Sequence, residues 1–403
     1  MKSIKTQILS ILTAFALAVG SLCLPDMGVL PSLVVPASAD GEWSKFTTGV
    51  TTLGTTVIGA PKAAGTNESG WVGDYVYYGQ YNSNPVKYRV LTPSTTAFGG
   101  TTMLLDCDTT LFEDAFRDEW QADDANVWTA SDLYKVLNTN DDSFLKTSFT
   151  GAEAAAIAES TVNHDESAVK RYLRPADLGG EKIFLLDVEE ATNRNYGYET
   201  TGISNNTRLK SKFTDENDHA YGWWLRSPDT YTAHRAGYVY GGRGDILYYL
   251  NVINDDVGVS PAFNINLTSV IFSSVINPGA TGTYGKEYKL TLKDSNTTIA
   301  AGDISRDGDT VTVPYTVTDS NTTDGIAADT VSVLITNAAG TAIKYYAPLT
   351  GTFAMTDASG TFDLPATYAA TDKVYILAED THEGNAARYL TDYARSRYRF
   401  PLI

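Results

Sequence analysis

Thiols and imidazoles are scarce in this chain: its 403 residues include two cysteines and four histidines. Cys23 falls in an N-terminal stretch that reads as removable, which leaves Cys107 alone. One cysteine forms neither an internal disulfide nor a cysteine-rich zinc site. His164, His219, His234 and His382 stand at no metal-binding spacing, and G-x-S-x-G is absent. They read as loop histidines, and no metal and no cofactor is expected. Positive charge is also short, with 30 Lys and Arg against 48 Asp and Glu, a net charge of −18 and a pI near 4.6. Such a chain repels phosphate backbones and anionic lipid, so nucleic acid is excluded as a partner. Long apolar runs are missing too. The one candidate, Ile8 to Val19, is soon broken by Gly20 and Pro25 and is too short for a confident membrane span.

That run does fit another role. Lys2 and Lys5 precede it and Ala37-Ser38-Ala39 comes after it, the order of a secretory signal peptide over residues 1–39. The distance from the run to the small-residue site is long, so an earlier cut or a retained anchor stays open. Cleavage makes the chain one unit more negative. A secreted protein without disulfides has to rely on sizeable cores, which this length permits. The expected location is extracellular, with possible attachment to a cell surface and no membrane insertion of the mature chain.

Residues 40–70, rich in Thr, Gly and Ala and without a clear period, read as a leader segment or a short strand. Beyond them, Val72–Gly79 and Val86–Leu91 flank turn residues Tyr81–Pro85 and predict a hairpin, with a third strand at Met103–Leu105. Thr129 with Asp132, and Thr150 with Glu153, have the spacing of capping boxes ahead of helices; Asp187 and Glu190 mark a third start. Strand returns at Ile183–Leu186 and through 222–267. These elements predict an α+β domain over residues 71–270. After Asn277-Pro278-Gly279, short alternating runs at 288–292, 311–317, 331–335 and 374–378 predict an all-β immunoglobulin-like sandwich over residues 284–403.

The most distinctive stretch is Gly222–Leu267. Trp223-Trp224-Leu225-Arg226-Ser227-Pro228 and Gly258-Val259-Ser260-Pro261-Ala262-Phe263 are rigid, apolar anchors. Between them lies a segment of Tyr, Gly, Asn, Asp, Arg and His. Tyrosine offers large amphipathic area at low entropy cost, and small polar residues add adaptable hydrogen bonds, which is the composition of a binding surface. An ordinary hairpin stabilised by cross-strand tyrosines fits equally well. On the first reading the contact aromatics are Tyr231, Tyr238, Tyr240, Tyr248 and Tyr249. The polar readers are His234, Arg235, Arg243, Asp245, Asn251 and Asn254. Arg243-Gly244-Asp245 also spells an integrin-type tripeptide, but Gly and Asp are common in turns. Asp303, Asp307 and Asp309 lack the alternation of an EF-hand loop and read as a solvated turn.

The anchors, with Gly73–Val76, Tyr88–Leu91, Trp128–Leu133 and Phe149–Glu153, resemble a secreted Firmicutes domain family of unknown function. Its hallmark is Y/W-W-L-R-S-P followed by G-V-R-P-A, and the resemblance covers about residues 70–268. It implies a C-type-lectin-like fold of the formylglycine-generating-enzyme branch, similar to the target domains of diversity-generating retroelements. In those relatives the segment between the anchors is the variable ligand-binding surface. Two positions depart from the pattern. Ser260 stands where the hallmark has arginine, and Cys107 does not match the cysteines of the enzyme branch.

The expected protein is therefore a secreted, non-enzymatic recognition protein of receptor or adhesin type. It would bind an extracellular protein or glycan through residues 229–256; its oligomeric state is open. An exported carbohydrate-active or cell-wall enzyme is the alternative, since its paired carboxylates would be hidden among many acids. A structural surface or spacer protein is the third.

Overall fold

A computed structural model describes residues 58–400, apart from 67, 120–122, 166, 202–205, 214–221, 278–283, 321–325, 340–342 and 383–386. The expected signal peptide and most of the leader lie outside the described residues, as does His219. No helix among the described residues is long and apolar enough to cross a membrane.

Strand outweighs helix by 45% to 12%, so the fold is mainly β with large mixed sheets. The expectation of an α+β, C-type-lectin-like domain followed by a separate sandwich is therefore wrong. The helix signals were real but short-lived. Helices α1 (Asp132–Asn138), α2 (Phe144–Thr147) and α3 (Gly151–Ala156) run only 7, 4 and 6 residues. The Thr150–Glu153 capping box forms as spaced, with Thr150 Oγ1 accepting from Glu153 N and Glu153 Oε2 from Thr150 N. At α1 the cap is Ser131, because Trp128–Ala130 already forms a 3-10 turn. Asp187 and Glu190 cap each other reciprocally, yet they open only a 3-10 turn, Glu190–Thr192. Helices this short cannot form a layer of their own.

One 11-stranded sheet runs through both halves of the described chain. The hairpin Tyr75–Tyr81 and Asn84–Thr95 turns at Asn82 and Ser83, whose φ values of +51° and +63° match the twist of a two-residue turn. Next come Thr102–Cys107, Ala262–Asn266 and Ile183–Phe184. On the other flank, Tyr75 and Val76 pair in parallel with Glu287 and Tyr288. Thr291–Lys293 pair in parallel with Asp392–Ala394, which leads to the strands Lys373–Asp380, Thr330–Thr336 and Ile343–Pro348. The remaining C-terminal strands, Thr297–Ala301, Ser305–Asp307, Thr310–Asp319 and Ala358–Asp363, form a four-stranded sheet. Asp307 and Asp309 flank its tight turn at Gly308.

The two apolar anchors meet in a separate five-stranded sheet. Its order is Asp245–Asn251, Arg235–Tyr240, Trp223–Pro228, Gly258–Val259, Phe112–Glu113. Trp223 pairs in parallel with Gly258, so the first anchor and the start of the second lie side by side. The bracketed segment is a hairpin on the open edge of that sheet. Trp223, Trp224 and Leu225 are fully buried, and both indoles donate to backbone: Trp223 to Arg208 O at 3.0 Å, Trp224 to Asp114 O at 2.8 Å.

Candidate functional site

The edge hairpin divides its side chains between core and solvent. Ala236, Tyr238, Val239, Ile246, Leu247 and Val252 pack inward. Tyr231, Tyr240 and Tyr249 are 70%, 44% and 49% exposed. Strict strand alternation would send the adjacent Tyr248 and Tyr249 to opposite faces. The pairing slips here: Ala236 faces Leu250 and Tyr238 faces Leu247, so three steps on one strand match two on the other. That bulge lies at the two tyrosines, and bulges re-aim side chains. Tyr248 is half-buried and Tyr249 exposed, with their rings 5.7 Å apart.

A residue not marked by the sequence completes the surface. Tyr172 is 47% exposed, and its ring lies 5.2 Å from Tyr231 and 4.7 Å from Tyr248. It sits at the tip of a tight turn, where Lys170 and Leu173 exchange both backbone hydrogen bonds. The two central residues, Arg171 and Tyr172, have φ of +50° and +67°. Side chains other than glycine, asparagine or aspartate rarely accept this region. The turn is tied to the edge hairpin by Arg171 Nε donating to Ile246 O at 2.8 Å and Thr230 N to Tyr172 O at 2.9 Å. Gly237 leaves room opposite it: a Cβ there would meet Leu173 Cδ1 at 2.6 Å, so that side chain would have to shift. Strain of this kind persists only where surroundings over-determine it, and it collects at functional sites.

The rings form a continuous path from core to solvent. Buried Trp224 touches Tyr238, which touches Tyr249, then Tyr248, then Tyr172 and Tyr231. Burial, then the neighbouring tyrosines, push the Tyr238 phenol up to about 12. Below the patch, Asn126 Nδ2 donates to the carbonyls of Arg235 at 2.8 Å and Thr232 at 3.0 Å, which pins the 229–235 loop. Asp229 Oδ1 accepts from Tyr231 N at 3.0 Å. Burial raises the Asp229 carboxyl above the usual range.

The polar candidates separate into groups. Arg235 and Asn251 are register partners at the open end of the hairpin, with His234 and Asn254 beside them; Asn251 is exposed and the other three are half-buried. Tyr240, Arg243 and Asp245 sit at the far tip. Asp245 is buried, and Arg243 pairs with it at 2.7 Å, so the Arg-Gly-Asp tripeptide closes on itself. Tyr238 and Asp245 therefore support the surface and do not line it.

Buried charge under the site is structural. Arg226 of the first anchor grips Glu190 through both terminal nitrogens, at 2.5 and 3.0 Å, and lies 3.5 Å from Asp187. Ligand atoms of His164, Asp187 and Glu190 fall within 4.8 Å of one another, but Arg226 is the cation that satisfies those carboxylates. A second buried cation, Lys210, lies beside Ser260 of the second anchor. Its Nζ lies 2.7 Å from both oxygens of Asp106 and donates to Ser260 Oγ at 2.6 Å, all three side chains being buried. Tyr198 donates to the same carboxylate. Burial pushes the neighbouring Cys107 thiol up to about 12, far from a reactive thiolate.

Residues 99–267 match the model of a family described as a domain of unknown function, DUF6273. The matched span contains both anchors, the edge hairpin and the Tyr172 turn. No curated protein and no solved structure matches the chain.

Proposed function

We propose that this is an exported, non-enzymatic recognition protein that binds an extracellular protein or glycan on the tyrosine face. That face is formed by Tyr172, Tyr231, Tyr248 and Tyr249, with Arg235 and Asn251 as flanking polar readers. One observation carries the reading. Of the eight exposed large hydrophobic side chains among the described residues, four are tyrosines; Tyr172, Tyr231 and Tyr249 belong to this face, and Tyr240 stands at the far tip of the same hairpin. Clustered exposed aromatics mark interaction surfaces, whereas scattered ones need no explanation. The Tyr172 turn at positive φ and the bulge at Tyr248-Tyr249 support it, since both place tyrosine rings at the surface. Export rests on the pattern of the first 39 residues.

The test is a binding screen of the purified chain against glycans and extracellular surface proteins, run beside a Tyr172→Asn, Tyr231→Ser, Tyr249→Ser triple variant. Loss of a wild-type signal at an unchanged melting temperature supports the proposal. Silence of the wild type, with the variant losing stability, points to a structural protein.

A further inference from the structure

We propose that Lys289 and Asp392 join in an intramolecular amide bond, a cross-link that the folded chain forms on itself. The strands Glu287–Lys293 and Asp392–Phe400 run parallel in the 11-stranded sheet, with Asp392 opposite Thr291. Side chains two residues apart share a face of a strand, so Lys289 lies on the same face as Asp392. There Lys289 Nζ stands 2.6 Å from Asp392 Oδ2 and 2.9 Å from Oδ1. The two residues are only 9% and 6% exposed. Burying two charges carries a desolvation cost, and condensation to a neutral amide removes both charges.

The backbone of His382 is already arranged for the product. Its carbonyl accepts from Lys289 Nζ at 3.0 Å, and its N–H donates to Asp392 Oδ1 at 2.8 Å. An amide made from these side chains has one N–H and one carbonyl oxygen to satisfy, and both partners are in place. The N–H on Oδ1 also steadies the negative charge that gathers there as Nζ adds to Cγ. The step balances without a co-reactant. The ammonium passes one proton to Oδ2, Nζ adds to Cγ, and the Cγ–Oδ2 bond breaks. Oδ2 leaves as water with a second proton from Nζ, and one N–H remains on the amide. Holding amine and acid in contact supplies the effective concentration that free groups in water lack. Lys210 and Asp106 are as close and more deeply buried, but the hydroxyls of Ser260 and Tyr198 occupy them and no such backbone pair stands ready. The Lys289–Asp392 bond spans 103 positions, and with Cys107 buried and free no disulfide makes that tie.

The test is the intact mass of the purified, folded protein after denaturation, with its N-terminus identified in the same sample. The mass should fall one water below that of the sequence. Tandem spectra of a digest should show a branched peptide joining Lys289 to Asp392. Lys289→Arg keeps a cation that cannot close this amide. It should have the uncondensed mass and no branched peptide, and should melt about 10 °C lower, as expected for opening a loop of this length. If that variant fails to fold, the wild-type digest decides: the branched peptide supports the proposal and its absence overturns it. A wild-type mass without the deficit overturns it. So does a deficit that the digest places elsewhere, on a linear peptide dehydrated at Asp or Asn, or between Lys210 and Asp106.

Discussion

Glu379 lies in the strand Lys373–Asp380 and is 1% exposed, with Tyr346 OH donating to its Oε2 at 2.9 Å. Burial first, with Asp392 adding to it, raises its carboxyl from an ordinary 4.5 to about 7. Below about pH 4.5 the folded and unfolded chains both carry the proton, and this group contributes no pH dependence. Between 4.5 and 7 the folded chain keeps a proton that the unfolded chain has lost, so stability falls as pH rises. Each pH unit of that window is worth about 1.4 kcal/mol. The full window amounts to about 3 kcal/mol. Glu379→Gln keeps the shape and an acceptor for Tyr346 and removes the titration. It should leave the melting temperature near wild type at pH 4.5 and raise it by several degrees at pH 8. Taking the difference between variant and wild type at each pH cancels the other titrating groups. A difference that stays flat from pH 4.5 to 8 would show that Glu379 is ionised throughout the range and refute the reasoning.

Three further outcomes are expected from melts and denaturant titrations. Trp224→Ala should cost about 3–5 kcal/mol, because it opens a cavity beside Phe116 and Tyr238 and orphans Asp114 O, whereas Tyr231→Ala should stay within about 0.5 kcal/mol. Ser260→Arg should cost about 3 kcal/mol or more by forcing a guanidinium against the buried Lys210 ammonium; adding Lys210→Ala should recover part of that loss, a coupling that a double-mutant cycle measures. Tyr172→Asn replaces a tyrosine at φ +67° with a residue that tolerates this region, so it should match or exceed wild-type stability while it removes a contact ring.

The strands were legible where local pattern and turn chemistry agreed. The hairpin around Asn82, the runs at 311–317, 331–335 and 374–378, and the Thr150 cap all stand close to where their residues imply. Helix length was not legible, because a cap marks a beginning and carries no information about an end. Nor was the pairing of Tyr75 and Val76 with Glu287 and Tyr288, which joins residues over 200 positions apart through backbone alone. In the site, composition marked the tyrosines but could not tell Tyr238, turned inward, from Tyr249, turned outward, since a bulge and a register decide that. Tyr172 gave no signal at all: Arg171-Tyr172 is not a pair that tight turns advertise, and its meeting with Tyr231 depends on the tertiary fold. The Lys210 ion pair beside Ser260 is equally non-local, since it joins Asp106 across 104 positions.

The central claim is that rings of the edge hairpin and the Tyr172 turn face outward to bind. The most direct measurement is binding of the wild-type chain and of the Tyr172→Asn, Tyr231→Ser, Tyr249→Ser variant on one array of glycans and extracellular proteins, with both melting temperatures recorded. The account predicts at least one wild-type signal that the variant loses while its melting temperature holds. A signal equally strong in the variant, or no signal together with a lower melting temperature in the variant, would contradict it.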